Sequence, residues 1–224
     1  MPTKQSILFT RTLSAEQRVL CEQLHVPHTD IPFINIQPRP SSSWISSIAD
    51  TAEAWVFTSS NAVNAVVLEK NDLIIPDLLF AVGPKVRSLL TLLEKPVHMP
   101  TEYNAKALAD LIASHRISEV IHFCGNIKPT SVSDHLPHDT TVHEIEVYDT
   151  SLTPQQVDQD IFTKIVFMSP SAVRSFSQHN PFLPHVTYYS IGPSTTHELN
   201  DLGAGKIKEA TEATFASLVR TLNT

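Results

Sequence analysis

The sequence predicts an α/β protein of two similar parallel-sheet lobes, one continuous and the other split. Three observations support this prediction: short apolar runs alternate with helical apolar patterns, three segments occur twice, and the flanking segments repeat in a permuted order. Strands that alternate with helices of about ten residues form parallel βαβ units with right-handed crossovers. We expect a two-stranded hinge to join the lobes, with a cleft between them.

The first predicted elements are a strand, a helix and a second strand. The run Ser6–Ser14 (SILFTRTLS) reads as a strand and a turn, and Ser14 with Gln17 three residues later has the pattern of a capping box. The apolar run 30–36 (DIPFINI) is interpreted as the second strand. The runs EVIHFCGN and HEIEVYD repeat this strand–helix–strand order farther along the chain, at an offset of about 114.

Two strand–helix pairs follow the first elements. The apolar run Val56–Thr58 precedes the helical spacing of Asn61–Leu68, and the run Leu78–Val82 precedes the leucine-rich segment Val86–Leu93. The second run stops at Gly83-Pro84. Proline is tolerated in the first turn of a helix, so this pair indicates a strand end followed by a helix start.

Three segments recur in the same order at an offset of 109 or 110 residues. They are AWVFTSSNAV (54–63) with KIVFMSPSAV (164–173), FAVGPKVRSLL (80–90) with YSIGPSTTHEL (189–199), and PTEYNAKALADLI (100–112) with ATEATFASLVRTL (210–222). Such an ordered set at a nearly constant offset indicates an internal duplication.

The order of the repeats predicts where the domains divide. Segment 1–36 resembles 119–148, whereas 54–112 resembles 164–222. Two equivalent domains therefore require a split domain of residues 1–36 plus 149–224 and a continuous domain of residues 37–148. The two crossings fall in QPRPSSS and TSLTPQQ, which have the Pro, Ser and Gln content of linkers.

Composition excludes several classes of function. The net charge of −7 argues against nucleic-acid binding, although helix N-termini can still bind anions locally. No apolar stretch approaches the roughly 18 residues of a membrane span. With Cys21 and Cys124 and no signal-peptide core, we expect a cytoplasmic protein with free thiols. Nothing in the sequence demands more than a monomer.

Small polar residues follow the predicted strands in both lobes. In parallel α/β sheets ligands bind at the carboxyl ends of strands, where hydroxyls and backbone N–H groups can hold carboxylates. The alternative is that these residues only cap the helices that follow. They are Thr58, Ser59, Ser60, Asn61 and Gly83 in one lobe, and Ser169, Ser171, Gly192, Ser194 and Thr195 in the other.

Two further residues are candidates for the site. Tyr148 ends the last strand of the continuous lobe, where it is either a phenol donor or a hydrophobic side chain with a solvated hydroxyl. Lys128 lies at a strand-to-helix turn and either pairs with an anionic ligand or is an ordinary solvated lysine. Neither histidine pair, His25/His28 or His135/His138, has a metal partner at ligand spacing, so we expect no metal site.

The motifs resemble those of the uroporphyrinogen-III synthase family. They stand in order from about Phe9 to Leu218 as VFTSSNAV, FAVG, CGNIK, EVYDT, VFMSPSAV and SIGPSTT. The resemblance implies two α/β lobes joined by a two-stranded hinge. It also implies an enzyme that cyclises linear hydroxymethylbilane with loss of water and inversion of the last pyrrole ring. The family uses no metal or organic cofactor.

The resemblance also implies roles for individual residues. Tyr148 matches the tyrosine that assists departure of the substrate hydroxyl. The carboxylates of the substrate are expected at Ser59, Ser60, Gly83, Ser169, Gly192 and Thr195. Three residues depart from the family pattern: Met168 replaces a threonine, Val86 stands where the family often has threonine, and Lys128 replaces an arginine.

Two alternatives to the enzyme stay open on the sequence alone. One is a non-catalytic two-lobed module that binds an anion or another solute. The other is a diverged, inactive relative that acts as an interaction protein, for which the Met168 and Lys128 departures are the only support.

Overall fold

The computed structural model describes residues 6–127 and 132–223, in a chain that divides into two compact units. Unit 1 comprises Met1–Asn35 and Ser151–Thr224, and unit 2 comprises Ile36–Thr150. The strands are β1 (Ser6–Phe9), β2 (His28–Asp30), β3 (Ile34–Pro38), β4 (Ala54–Phe57), β5 (Leu78–Ala81), β6 (Val97–His98), β7 (Glu119–Gly125), β8 (Thr141–Leu152), β9 (Phe162–Phe167), β10 (Thr187–Ser190) and β11 (Ile207–Glu209). The α-helices are α1 (Ala15–Gln23), α2 (Ser60–Leu68), α3 (Pro84–Leu90), α4 (Ala105–Ser114), α5 (Pro170–Ser177), α6 (Pro193–Asp201) and α7 (Phe215–Thr221).

The strands form one sheet in each unit. The strand order is β11-β10-β9-β1-β2 in the first sheet and β3-β8-β7-β4-β5-β6 in the second. All neighbouring strands of the first sheet are parallel, and so are all neighbouring strands of the second sheet between β8 and β6. The predicted fold class, two similar parallel-sheet α/β lobes, is therefore confirmed.

The two sheets repeat one strand order in permuted chain order. Reading β11-β10-β9-β1-β2 against β6-β5-β4-β7-β8 matches each strand of the first sheet with one of the second. The duplicated stretches supply β9 and β4, with the helices α5 and α2 after them. The chain crosses the unit boundaries within β3 and β8, which are hydrogen-bonded neighbours.

The first helix begins as its sequence predicts. Ser14 is the N-cap of α1, and its hydroxyl accepts a hydrogen bond from the Gln17 backbone N–H, while the Gln17 side chain accepts one from the Ser14 backbone N–H. This reciprocal pair satisfies two donors that the first turn of a helix leaves free. The capping box is confirmed.

The strand predicted over the run 30–36 is wrong in its extent. The chain instead forms β2 at His28–Asp30, beside β1, and β3 at Ile34–Pro38, in the other sheet. Pro32 lies between the two strands and has no N–H to donate to a ladder, so a continuous strand is broken there. Phe33 in the same gap is fully buried in an apolar cluster of unit 1. The apolar character of the run therefore reflects burial of a connection and not one strand.

Each sheet has an apolar cluster on either face. In β4 the side chains of Trp55 and Phe57 belong to one cluster, and those of Ala54 and Val56 belong to the other. All four residues are buried, as is usual for a parallel strand covered on both sides. Each large side chain buried in this way contributes about 1.5–3 kcal/mol.

Across the described residues, no helix combines the length and apolar character that a bilayer crossing requires.

Candidate functional site

In unit 2 the helices α2 and α3 begin directly after the adjacent strands β4 and β5. Ser59 is the N-cap of α2, and its Oγ accepts a hydrogen bond of 3.1 Å from the Asn61 backbone N–H. Gly83 is the N-cap of α3 and is followed by Pro84. Because β4 and β5 are parallel, both helix N-termini lie at the carboxyl edge of the sheet. This edge presents backbone N–H groups and the hydroxyls of Ser59 and Ser60, a donor set suited to carboxylates.

The Tyr148 side chain reaches this edge from the other side of β7. Its Oη donates a hydrogen bond of 3.1 Å to Ser59 Oγ, although β8 and β4 are separated in the sheet by β7. The ring passes directly over Gly125, where an added Cβ would lie 2.5 Å from Tyr148 Cε2 and Cζ. Residue 125 therefore has to lack a side chain for Tyr148 to reach Ser59.

The phenol of Tyr148 is held in its protonated form. The residue is 9% exposed. Burial raises the pKa of the Tyr148 phenol, and hydrogen bonds with Ser59 and Asn61 oppose this rise without cancelling it. A buried neutral phenol is a hydrogen-bond donor, and it can give a proton to an oxygen that develops negative charge.

Asn126 connects the end of β7 to the end of β8. Its Oδ1 accepts a hydrogen bond of 2.8 Å from the Thr150 N–H, and its Nδ2 donates one of 3.3 Å to the Thr150 carbonyl. This two-point contact fixes the backbone two residues beyond Tyr148. Sequence reasoning missed Asn126, although an asparagine directly after the strand-ending Gly125 was a signal for such a contact.

Thr58 contacts a histidine that sequence reasoning also missed. Thr58 Oγ1 and His122 Nε2 are hydrogen-bonded at 3.0 Å, and His122 Nδ1 lies 3.6 Å from Glu144 Oε1. His122 is only 3% exposed, in the middle of β7. A histidine flanked on both sides by apolar residues in the run VIHFC was the available signal.

Tyr103 lies beside Gly83 at the same edge. A Cβ added at Gly83 would lie 3.5 Å from Tyr103 Cβ, and the Tyr103 side chain is 54% exposed. In unit 1 the corresponding glycine, Gly192, has Ala213 at 3.5 Å instead. The two copies therefore differ in the side chain that flanks the helix N-cap.

Unit 1 repeats the pair of helix N-termini. Ser169 is the N-cap of α5, and its Oγ accepts a hydrogen bond of 3.2 Å from the Ala172 N–H. Gly192 is the N-cap of α6 and is followed by Pro193. Ser194 is exposed and Thr195 is buried in the first turn of α6. Both helices follow neighbouring parallel strands, β9 and β10.

The three departures have different outcomes. Met168, like Ile191 and Phe215, packs against an apolar cluster of unit 1. Its thioether has no hydrogen to donate where the other copy has the hydroxyl of Thr58. Val86 is buried in the core of unit 2. Lys128 lies outside the residues that the structure describes. Within residues 6–127 and 132–223, no three His, Cys, Asp or Glu side chains are grouped so as to hold a metal ion.

Solved structures share this fold. The chain is similar to a mutant uroporphyrinogen III synthase of Thermus thermophilus, with 14% identity, a TM-score of 0.68 and 97% of each chain covered. It is also similar to the uroporphyrinogen-III synthetase of Helicobacter pylori 26695, with 18% identity, a TM-score of 0.56, and coverage of 98% of this chain and 99% of that one. Identities this low support the fold alone.

Sequence comparison adds the family. No curated protein sequence matches the chain. The family model described as uroporphyrinogen-III synthase HemD matches residues 16–220, which is most of the chain. The resemblance seen in the sequence motifs is confirmed, and the chain belongs to the uroporphyrinogen-III synthase family.

Proposed function

We propose that this enzyme is a cyclising lyase that converts linear hydroxymethylbilane to uroporphyrinogen III, with loss of water and inversion of the last pyrrole ring. Membership of the family supports the overall reaction, and it does not support a non-catalytic solute-binding module. The observation that carries the mechanism is the buried phenol of Tyr148, hydrogen-bonded to Ser59 at the N-terminus of α2.

The proposed role of Tyr148 is to assist departure of the hydroxyl. The carbon–oxygen bond of the hydroxymethyl group breaks as the phenol donates its proton to the leaving oxygen, which departs as water. The lone pair of the attached pyrrole nitrogen stabilises the carbon as the bond breaks, and the products are a phenolate and an electrophilic azafulvene cation that keeps its N–H. A phenol is protonated at neutral pH, and because burial raises the pKa of Tyr148 further, the neutral donor form is the one present in the site.

Ring closure then follows without a further protein reagent. The last pyrrole ring attacks the azafulvene through its substituted carbon, and the new carbon–carbon bond gives a spiro intermediate. The bond from that carbon to its original methylene bridge then breaks, and the bridge bonds instead to the free α-carbon of the ring, which is thereby inverted. The proton lost when that ring regains aromaticity balances the one that Tyr148 gave. The bound conformation of the linear substrate decides which isomer forms, so orientation is the main contribution of the binding residues.

Substrate carboxylates are proposed to bind at the helix N-termini of each unit. In unit 2 the donors are the hydroxyls of Thr58, Ser59 and Ser60 and the backbone N–H groups after Gly83. In unit 1 they are Ser169, Ser194, Thr195 and the N–H groups after Gly192. Lys128, outside the described residues, is proposed to add a positive charge. The proposed partner is this small molecule alone, without nucleic acid or membrane, for a monomeric cytoplasmic enzyme.

The test is a product assay. Hydroxymethylbilane is generated in situ, the purified protein is added, the products are oxidised, and the type I and type III uroporphyrin isomers are separated. We expect type III to predominate with the wild-type protein. Tyr148→Phe keeps the ring over Gly125 but removes the donor, so type III formation should slow by about 100-fold.

Tyr188 supplies the matched control. It is a fully buried tyrosine on β10 whose Oη accepts a hydrogen bond of 2.6 Å from the Leu183 N–H. Tyr188→Phe loses a buried phenol of the same kind outside the proposed site, so its rate per folded molecule should match that of the wild type. Type I as the sole product of the wild-type protein would contradict the function, and an unimpaired Tyr148→Phe would contradict the role of the phenol.

A further inference from the structure

A row of polar side chains crosses three neighbouring strands of unit 2. Thr58 follows β4, His122 lies in β7 and Glu144 lies in β8. In the sheet register, His122 pairs with Val56 on one side and with Glu144 on the other. The row connects a proposed substrate-binding hydroxyl, through a buried imidazole, to a carboxylate whose side chain is 26% exposed.

Unit 1, the other copy of the duplicated fold, shows that the fold does not require the hydrogen-bonded pair of Thr58 and His122. Val166 matches Val56 in the repeat, and its neighbour in β1 is Phe9, which in turn pairs with Asp30 in β2. Phe9 therefore occupies the place of His122. Met168 occupies the place of Thr58, and the two side chains belong to or pack against a single apolar cluster. Equivalent positions of the two sheets thus hold an apolar pair in unit 1 and a hydrogen-bonded pair in unit 2.

Burial of the imidazole has an energetic cost that the fold could have avoided. A polar group taken from water is stabilised only to the extent that hydrogen bonds compensate its desolvation, and an apolar pair of similar shape is often neutral or better. Unit 1 has the apolar solution. Unit 2 instead keeps the imidazole, which is hydrogen-bonded to Thr58.

The hydrogen-bonded imidazole can control the direction of the Thr58 hydroxyl hydrogen. When Nε2 carries no hydrogen, Thr58 donates to it, and the threonine presents only lone pairs to a ligand. When Nε2 carries a hydrogen, the ring donates to Oγ1, and the Thr58 O–H is released to donate outward. A protonated imidazole has N–H groups on both nitrogens, and its Nδ1 then pairs with Glu144 Oε1 at 3.6 Å.

We propose that His122 is a positioning residue that turns the Thr58 hydroxyl outward to donate to a substrate carboxylate. The inference rests on the proposed function, since it names how one carboxylate of the substrate is bound. His122 itself, buried in β7, does not touch the substrate. In unit 1 the pair Phe9 and Met168 cannot serve in this way, so this contact is made by unit 2 alone.

The experiment is a double-mutant cycle with His122→Leu, Thr58→Val and the double variant, together with His122→Gln. KM and kcat for hydroxymethylbilane are measured, and the midpoint of thermal unfolding is followed. Each single variant removes the hydrogen bond from Thr58 to the charged substrate carboxylate. Each should therefore raise KM by about tenfold or more. The carboxylate stays ionised throughout the reaction, so this contact binds substrate and transition state alike, and kcat should change by less than about twofold.

Coupling of the two residues is the decisive result. If His122 acts through Thr58, the double variant should have the KM of either single variant. His122→Gln keeps an amide N–H that can donate to Thr58, so it should recover most of the wild-type KM. Independent, multiplying effects on KM, or a His122→Gln protein as impaired as His122→Leu, would overturn the proposal in favour of a structural role.

The residue pair of unit 1 provides a control for correct folding. The double variant Thr58→Met/His122→Phe copies the unit 1 pair, so it should fold with an unfolding midpoint close to that of the wild type while its KM is raised. This variant separates loss of the contact from loss of the fold even if His122→Leu is unstable.

A binding measurement keeps this inference distinct from the proposed reaction. Uroporphyrin III, a cyclic tetrapyrrole with eight carboxylates, is titrated against each variant by fluorescence. If the wild-type protein makes no type III isomer, the proposed function is wrong. The titrations would still test the role of His122. Weaker uroporphyrin binding with the same coupling pattern supports the inference, and equal affinity of all variants overturns it.

Discussion

The contact between Tyr148 and Ser59 depends on the absence of a side chain at residue 125. A methyl group there would come within 2.5 Å of two carbons of the Tyr148 ring. The ring end is the mobile part of the side chain, so it can swing away at a modest cost in stability. The geometry therefore predicts a larger effect on chemistry than on folding.

Gly125→Ala should displace the phenol from Ser59 and slow type III formation by at least about tenfold, because a general acid acts only at hydrogen-bond distance. The measurement is the isomer assay together with the unfolding midpoint. Gly205→Ala is the matched control, since a Cβ at Gly205 meets nothing within 4 Å. Equal activity of the two variants would show that the close approach over Gly125 does not matter.

Ser175 offers a prediction about stability. Its hydroxyl is fully buried in α5 and has no hydrogen-bond partner within the described part of the chain. Ser175→Ala should raise the free energy of unfolding by about 1 kcal/mol, because it removes an unsatisfied polar group and alanine is the better helix former. Urea unfolding monitored by circular dichroism measures the change.

Ser217 is the control for Ser175. It is 5% exposed in α7, but its Oγ accepts a hydrogen bond of 3.1 Å from the Glu212 N–H and lies 2.9 Å from Thr211 Oγ1. Ser217→Ala leaves these groups without their partner and should lower the free energy of unfolding by about 1–3 kcal/mol. A loss of stability in both variants would contradict the account of Ser175.

At the scale of elements, the residue that follows β3 is held to β8 by a side-chain contact. Arg39 makes a two-point contact with Asp149, from Nε to Oδ2 at 3.0 Å and from Nη2 to Oδ1 at 2.8 Å. Its Nη2 also lies 2.8 Å from Glu146 Oε2. The hydrogen bond from Arg39, aided by its charge, holds the pKa of Asp149 below the ordinary value of 3.8.

This shift predicts how the contact responds to pH. The folded state holds Asp149 ionised more strongly than the unfolded state does, so the contribution is complete above about pH 5 and is lost as pH falls through the folded pKa, below about pH 4. Arg39→Gln should therefore destabilise the protein at neutral pH, and its difference from wild type should shrink below about pH 4. Urea unfolding at a series of pH values measures this.

Asp149→Asn provides the check on the assignment. In that background Arg39→Gln should have a smaller effect at neutral pH, and the pH-dependent part of the difference should vanish. A difference between the Arg39 variant and wild type that stays constant down to about pH 3 would mean that Asp149 is not the titrating group.

Local patterns determined which elements could be predicted. The pairs β4–α2 and β5–α3 leave clear signals, because a buried strand is followed by a cap residue or by Gly-Pro. In the run 30–36 Pro32 was a signal that the strand is interrupted. The sequence did not show that the two parts belong to different sheets, because strands of either sheet are equally apolar. Ser59 was predictable as a cap. Its contact with Tyr148 was not, because it depends on the register shift between Cys124 and Gly125, which no spacing reveals.

At the scale of the molecule, the two units differ in how the chain builds them. Unit 2 is one segment, Ile36–Thr150, whereas the sheet of unit 1 joins β1 and β2 from the first 35 residues to β9, β10 and β11 from the last part. We predict that a chain of residues 36–150 folds cooperatively alone, and that residues 151–224 do not, because β9 lacks its neighbour β1.

Circular dichroism and urea unfolding of the two segments check this prediction. A single cooperative transition is expected for 36–150, and none for 151–224. Addition of a peptide of residues 1–35 should restore structure to the second segment. Failure of 36–150 to unfold cooperatively would show that its core depends on unit 1.

The position of β1 between β9 and β2 has a consequence for synthesis on the ribosome. Translation at about 5–20 residues per second delivers β1 first and its partner β9 only after the whole of unit 2. Until then Ile7, Leu8 and Phe9, all buried in the finished protein, have no sheet on the β9 side. An unpaired apolar strand is a template for association with other chains. The nascent polypeptide is therefore exposed to aggregation through β1, and a translational pause after residue 150 should lower the yield of folded protein.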